Sequence, residues 1–91
     1  MVIKFPPMQG AGVLVLVDGT EAQVGFEFHG AQQAGVFTVA HGYLYGEEKF
    51  LERAVQDGKA LFRMTSTVTL QVSIKPVAKG RVRFEMTAQL D

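Results

Sequence analysis

The sequence predicts a mainly β domain with one short α-helix, built as a small antiparallel β-barrel or a two-layer β-sandwich. The alternative is an α+β fold in which a single curled antiparallel sheet carries the helix on one face. Two observations lead there. In the last quarter of the chain, Val68, Leu70, Val72 and Ile74 interleave with Thr67, Thr69, Gln71, Ser73 and Lys75. Val82, Phe84, Met86, Ala88 and Leu90 then interleave with Arg81, Arg83, Glu85, Thr87 and Gln89. A period of two sets each group on its own side of a half-buried antiparallel strand. The second observation is that short strands recur between turn signals along the chain, which favours closure or a second layer.

The elements follow in the order β-β-β-β-α-β-β-β. Val2 to Phe5 forms a short strand ended by Pro6-Pro7, which cannot donate to a ladder. Gly10-Ala11-Gly12 reads as a flexible connection rather than a phosphate cradle, because it precedes a strand instead of joining strand to helix. Val13 to Val17 is a strand on composition, and Asp18-Gly19 is a strong hairpin signal. The return strand alternates Ala22, Val24, Phe26 and Phe28 with Glu21, Gln23, Gly25, Glu27 and His29. Gly30 to Gly35 is a loop, and Val36 to Tyr45 a further strand with a bend at Gly42.

Glu47 to Asp57 is the one helix. Phe50, Leu51, Ala54 and Val55 share a side at helical spacing, Glu47-Glu48 suit the first turn, and Gly58 suits a left-handed cap. So short a helix stands only if its apolar side is packed. Ala60 to Met64 and the two alternating segments complete the order. The predicted core is Val15, Val24, Phe26, Phe28, Phe37, Phe62, Leu70, Val72, Ile74, Val82, Phe84 and Met86.

Parity refines both hairpins. A two-residue Asp18-Gly19 loop pairs Val15 with Ala22 and Val13 with Val24, leaving Leu14 and Leu16 beside Glu21 and Gln23. An odd loop within Pro76 to Gly80, with Gly80 left-handed, sets Ser73 against Arg83 and Val72 against Phe84 and keeps the faces pure. Two apolar surfaces then need covering: Leu14/Leu16, and the helix stripe of Phe50, Leu51 and Val55. Either the helix lies across the first hairpin and they cover each other, or one meets a second subunit.

Composition bounds the function. A chain of 91 residues is one domain with a single core, and it contains no cysteine, so disulfides, thiol catalysis and Cys-based zinc sites are excluded. Nine basic and nine acidic residues cancel, which disfavours a dedicated nucleic-acid binder. The N-terminus lacks the apolar stretch of a secretion signal, and Val13 to Val17 is too short to span a bilayer. The expectation is a cytoplasmic protein with no membrane contact and no cofactor.

No chemistry announces itself. His29 and His41 lie on different strands and form a metal site only if the register brings Glu27 or Glu85 beside them. Ser66 and Ser73 are the only serines, and neither occupies a nucleophile elbow. Asp18 serves its turn, and Glu47, Glu48 and Glu52 belong to a solvated helix face. Lys75, Lys79, Arg81 and Arg83 form a weak basic patch at the last turn. Lys79 to Phe84 starts like an RNA-binding RNP1 strand, but Arg81 and Arg83 stand where that motif needs aromatics. Cross-strand charges that keep a strand soluble are the plainer account.

The expected function is therefore a non-catalytic protein-interaction module capable of self-association, with Leu14, Leu16, Phe50, Leu51 and Val55 as candidate interface. The alternative is a small-ligand binder whose pocket opens near His41, Tyr43 and Tyr45, since tyrosine offers an apolar body with a polar tip.

Overall fold

The computed structural model describes residues 2–4, 7–34 and 36–90, with side chains from Pro7 onward. Phe5, Pro6 and Gly35, which figure in the predicted first strand and loop, lie outside the described residues. The elements are β1 (Val2–Lys4), β2 (Met8–Val15), β3 (Glu21–Gln33), β4 (Val36–Tyr45), α1 (Glu48–Asp57), β5 (Lys59–Arg63), β6 (Thr69–Ala78) and β7 (Arg81–Leu90). The predicted order stands. Strands β3, β2, β5, β6, β7 and β4 pair antiparallel in that sequence, and β4 pairs back onto β3 to close a six-stranded barrel. The length of β3 allows closure: β2 and then β1 occupy one edge while β4 runs along the other.

The first hairpin departs from its predicted register. The Leu16 N–H donates to the Thr20 carbonyl at 2.8 Å and the Gly19 N–H to the Leu16 carbonyl at 2.9 Å. The loop is thus Val17-Asp18-Gly19, with Gly19 at a left-handed φ of 89° that a side chain resists. Three residues instead of two reverse the parity of β2. Leu14 now faces Ala22, and Leu14 and Leu16 turn inward, 0% and 3% exposed. Val15, predicted in the core, turns outward opposite Glu21.

Asp18 ties this loop to the helix. The Thr20 amide donates to its carboxylate at 2.9 Å, and Arg53 of α1 donates to the same carboxylate. Hydrogen bonds from Thr20, then the Arg53 guanidinium, hold the Asp18 carboxyl below its ordinary value. A lowered folded-state pKa contributes stability that is complete above the unfolded value and lost as pH falls through the folded one. Wild type is therefore expected to melt slightly above Asp18→Asn at neutral pH, and the gap to close below about pH 4. Melting curves across that range check it.

Gly10, Ala11 and Gly12 are not a flexible connection but part of β2, paired with Phe26, Gly25 and Val24. A Cβ on Gly10 would lie 2.9 Å from the Phe26 ring, and one on Gly12 2.7 Å from the Arg63 carbonyl oxygen. These glycines admit a close approach. The predicted loop at 30–35 also shortens, because Ala31 to Gln33 pair with β1 on one side and with β4 on the other.

In the terminal hairpin, Ile74 faces Phe84 and Lys75 faces Arg83, two residues along from the predicted pairs. The faces stay pure because the shift is even. A Lys79-Gly80 loop plus a bulge at Val77 replaces the predicted odd loop, and Gly80 is left-handed at φ 72° as expected. A second bulge, at Thr87, breaks the sequence's apparent alternation: Ala88 and Leu90 turn outward and Gln89 inward. The Thr87 hydroxyl donates to the Gln71 carbonyl at 3.0 Å there. A third, at Thr38, separates inward Phe37 from outward Val39, His41, Tyr43 and Tyr45.

Inside the barrel, Phe26, Phe62, Phe84, Phe28 and Phe37 form a continuous run of ring contacts with centroids 5.2–6.3 Å apart. Phe28, Gly42 and Phe84 are cross-strand neighbours, and the two rings stack over the space that Gly42 leaves. Of the other predicted core residues, Val24, Leu70, Val72, Ile74 and Val82 are buried, Met86 is partly buried against the cluster, and Val15 is the one that faces outward. Helix α1 buries Phe50, Leu51 and Ala54 against β5, β6 and β7 rather than the first hairpin. Gly58 ends it in the left-handed conformation, donating to the Ala54 and Val55 carbonyls.

Candidate functional site

The predicted interface is not uncovered surface. Leu14, Leu16, Phe50 and Leu51 are buried in the chain's own core, and only Val55 is half-buried. The inverted parity of β2 removes the outer apolar patch on which that expectation rests.

Val17 and Val77, 64% and 42% exposed, lie at the helix end of the barrel, and further exposed apolar side chains lie at the opposite end. The β4–β7 ladder ends at His41–Glu85, although β4 begins at Val36 and β7 continues to Leu90. Among the described residues no β4–β7 ladder pair continues into residues 36–40 and 86–90, and this stretch forms a seam. The inward-turned Gln89 side chain spans it, its Oε1 accepting the Phe37 N–H at 2.9 Å. Outside this bridge, Val36, Val39 and Leu90 are 53%, 54% and 38% exposed. The Thr38 bulge turns Val36 outward and the Thr87 bulge turns Leu90 outward, which strict alternation along the sequence does not show, whereas Val39 shares the outward parity of His41 and Tyr43.

The residues predicted as a ligand pocket and as a basic patch meet on one wall. His41, Tyr43 and Tyr45 point outward from β4, with Glu85, Arg83 and Arg81 opposite them on β7 and Ser73, Lys75 and Ala78 next on β6. The Arg81 guanidinium sits 4.9 Å from the centre of the Tyr43 ring, and Arg83 pairs with Glu85 at 3.4 Å. These side chains lie on the outer face of the barrel.

A groove of about 430 Å³ does exist, between α1 and the β6–β7 turn. Leu51, Val55, Pro76, Val77 and Val82 line it, with Glu48 and Glu52 on one rim and Lys79 on the other. Lys79 thus belongs to the groove as well as to the basic patch.

The register also brings the histidines together. His29 and His41 are direct cross-strand partners with parallel rings 5.3 Å apart, and Glu27 Oε1 lies 3.9 Å from His29 Nε2. Among the described residues, no three His, Cys, Asp or Glu side chains converge to hold a metal ion. Nor is any described helix long and apolar enough to cross a membrane. No protein-family model matches the chain, and searches of curated proteins and of solved structures find no match to it.

Proposed function

We propose that this protein is an interaction module that self-associates through the apolar side chains of Val36, Val39 and Leu90. The observation that carries the reading is their exposure, 53%, 54% and 38%, on β4 and β7 beyond the end of the ladder those strands share. Exposed aliphatic side chains add burial that a solitary chain leaves unused. A second copy suits this surface because a twofold axis brings the same patch of each copy together.

Light scattering over a wide concentration range tests it. Wild type is expected to double in mass as concentration rises, and Val39→Lys to remain a monomer with an unchanged circular dichroism spectrum. Val39 is more than half exposed, so the substitution spares the core. A wild-type monomer at every concentration would overturn the reading. Function would then pass to the second candidate, a small apolar ligand held in the groove between α1 and the β6–β7 turn, whose volume falls in the usual range for such sites.

A further inference from the structure

We propose that the outer wall formed by β4, β7 and β6 binds single-stranded nucleic acid. Bases would stack on Tyr45 and on the Arg81 guanidinium, and phosphates would meet Arg83 and Lys75. The inference is independent of the seam, which lies at the other end of β4.

The wall combines the two features such binding needs, a flat π surface and a track of cations. Tyr45 is 38% exposed and stands directly opposite Arg81. The exposed Arg81 is held with its guanidinium carbon over the Tyr43 ring. Stacking on such an arginine plane is an established mode of holding unpaired bases. Arg83 and Lys75, paired in register, continue the positive charge onto the next strands. Among the described residues, Glu85 is the one acidic side chain facing outward on these three strands opposite His41, Tyr43 and Tyr45, and Arg83 is tied to it; Glu27 of β3 stands on the other side of Tyr43, beside His29. Neither Arg81 nor Lys75 has a carboxylate within salt-bridge distance among the described residues.

Chain-wide neutrality disfavours this partner at the level of composition. The fold changes that balance by segregation. Glu47, Glu48, Glu52 and Asp57 outnumber Lys49 and Arg53 in and beside α1, while Lys75, Arg81 and Arg83 outnumber Glu85 on the strand wall. The potential a ligand meets depends on that local sum rather than on the total. Glu48 and Glu52 face Lys79 across the groove at the barrel end, so the phosphate track runs from Arg81 towards Arg83 and Lys75. Double-stranded nucleic acid is disfavoured, because its bases are not free to stack on Tyr45.

Fluorescence anisotropy with a labelled oligothymidine of about 15 nucleotides, at roughly 25 mM salt, tests the proposal. Saturable binding in the micromolar range is expected, falling steeply with added salt. Tyr45→Ala and Arg81→Ala should each weaken it about tenfold, whereas Tyr45→Phe retains it and Lys49→Ala on the helix leaves it unchanged. Lys75→Ala should lower the salt slope by about one. Absence of saturation at low salt would overturn the proposal. So would wild-type affinity in Tyr45→Ala, or equal affinity for a duplex of the same length, since either would leave only unspecific charge attraction.

Discussion

Phe84→Ala is expected to lower the free energy of unfolding by about 4 kcal/mol, a large share of what a domain of this size possesses. The side chain is fully buried and touches both Phe62 and Phe28 in the aromatic run. Truncation leaves a cavity in the middle of that run, and the strands on either side cannot collapse into it without opening their ladders. The loss therefore joins the transfer energy of the ring to the cost of the void. Chemical denaturation should show the full effect, and thermal melting a fall of about 20 °C. Phe84→Leu, which refills most of the volume, should cost about 1.5 kcal/mol. If both variants lost under about 1 kcal/mol, the aromatic run would not be the centre of the core.

The second large effect is expected from a much smaller change. A Cβ on Gly42 would lie 1.9 Å from the Glu27 carbonyl oxygen and 3.3 Å from the Phe28 Cα, both backbone atoms of β3. No rotamer relieves such a contact, so Gly42→Ala must push β4 away from β3, the pairing that closes the barrel. It would also disturb the stacked Phe28 and Phe84 rings on either side. A loss of about 3 kcal/mol is expected from denaturant unfolding. Gly58→Ala is the control: its φ of 74° is left-handed, but nothing lies within 4 Å of the added carbon. That variant should lose only about 1 kcal/mol, from conformation alone. Equal losses in the two would mean that conformation, not the contact with β3, governs Gly42.

Much of this architecture is legible in the order of residues alone. Period-two alternation places strands at β3, β6 and β7, because local side-chain sequence dictates which face of a strand is apolar. The Gly46 to Gly58 window places the helix and its left-handed cap. Ten of the twelve predicted core residues are buried, since each sits on the apolar side of its own strand. The departures share one cause. At Val17-Asp18-Gly19 one extra loop residue inverts β2, moving Leu14 and Leu16 from a supposed interface into the core. At Thr38 and Thr87 one extra strand residue turns Phe37 inward and Val36, Ala88 and Leu90 outward. Parity reverses with every such insertion, and an insertion is set by the partner strand, not by the residues that carry it.

The candidate surfaces follow the same division. Residue types are visible in the chain: tyrosines on one strand, arginines and lysines around one turn, two histidines far apart. Their convergence is not, because it depends on β4 lying between β3 and β7 in a closed barrel. The sequence by itself determined a mainly β fold, the order of its elements along the chain, its one helix and most of its core, all consequences of local periodicity and turn chemistry. Tertiary structure alone decided strand neighbours, the seam between β4 and β7 and the shared tyrosine–arginine wall. Those depend on long-range register, and register is a property of strand pairs that no single strand encodes.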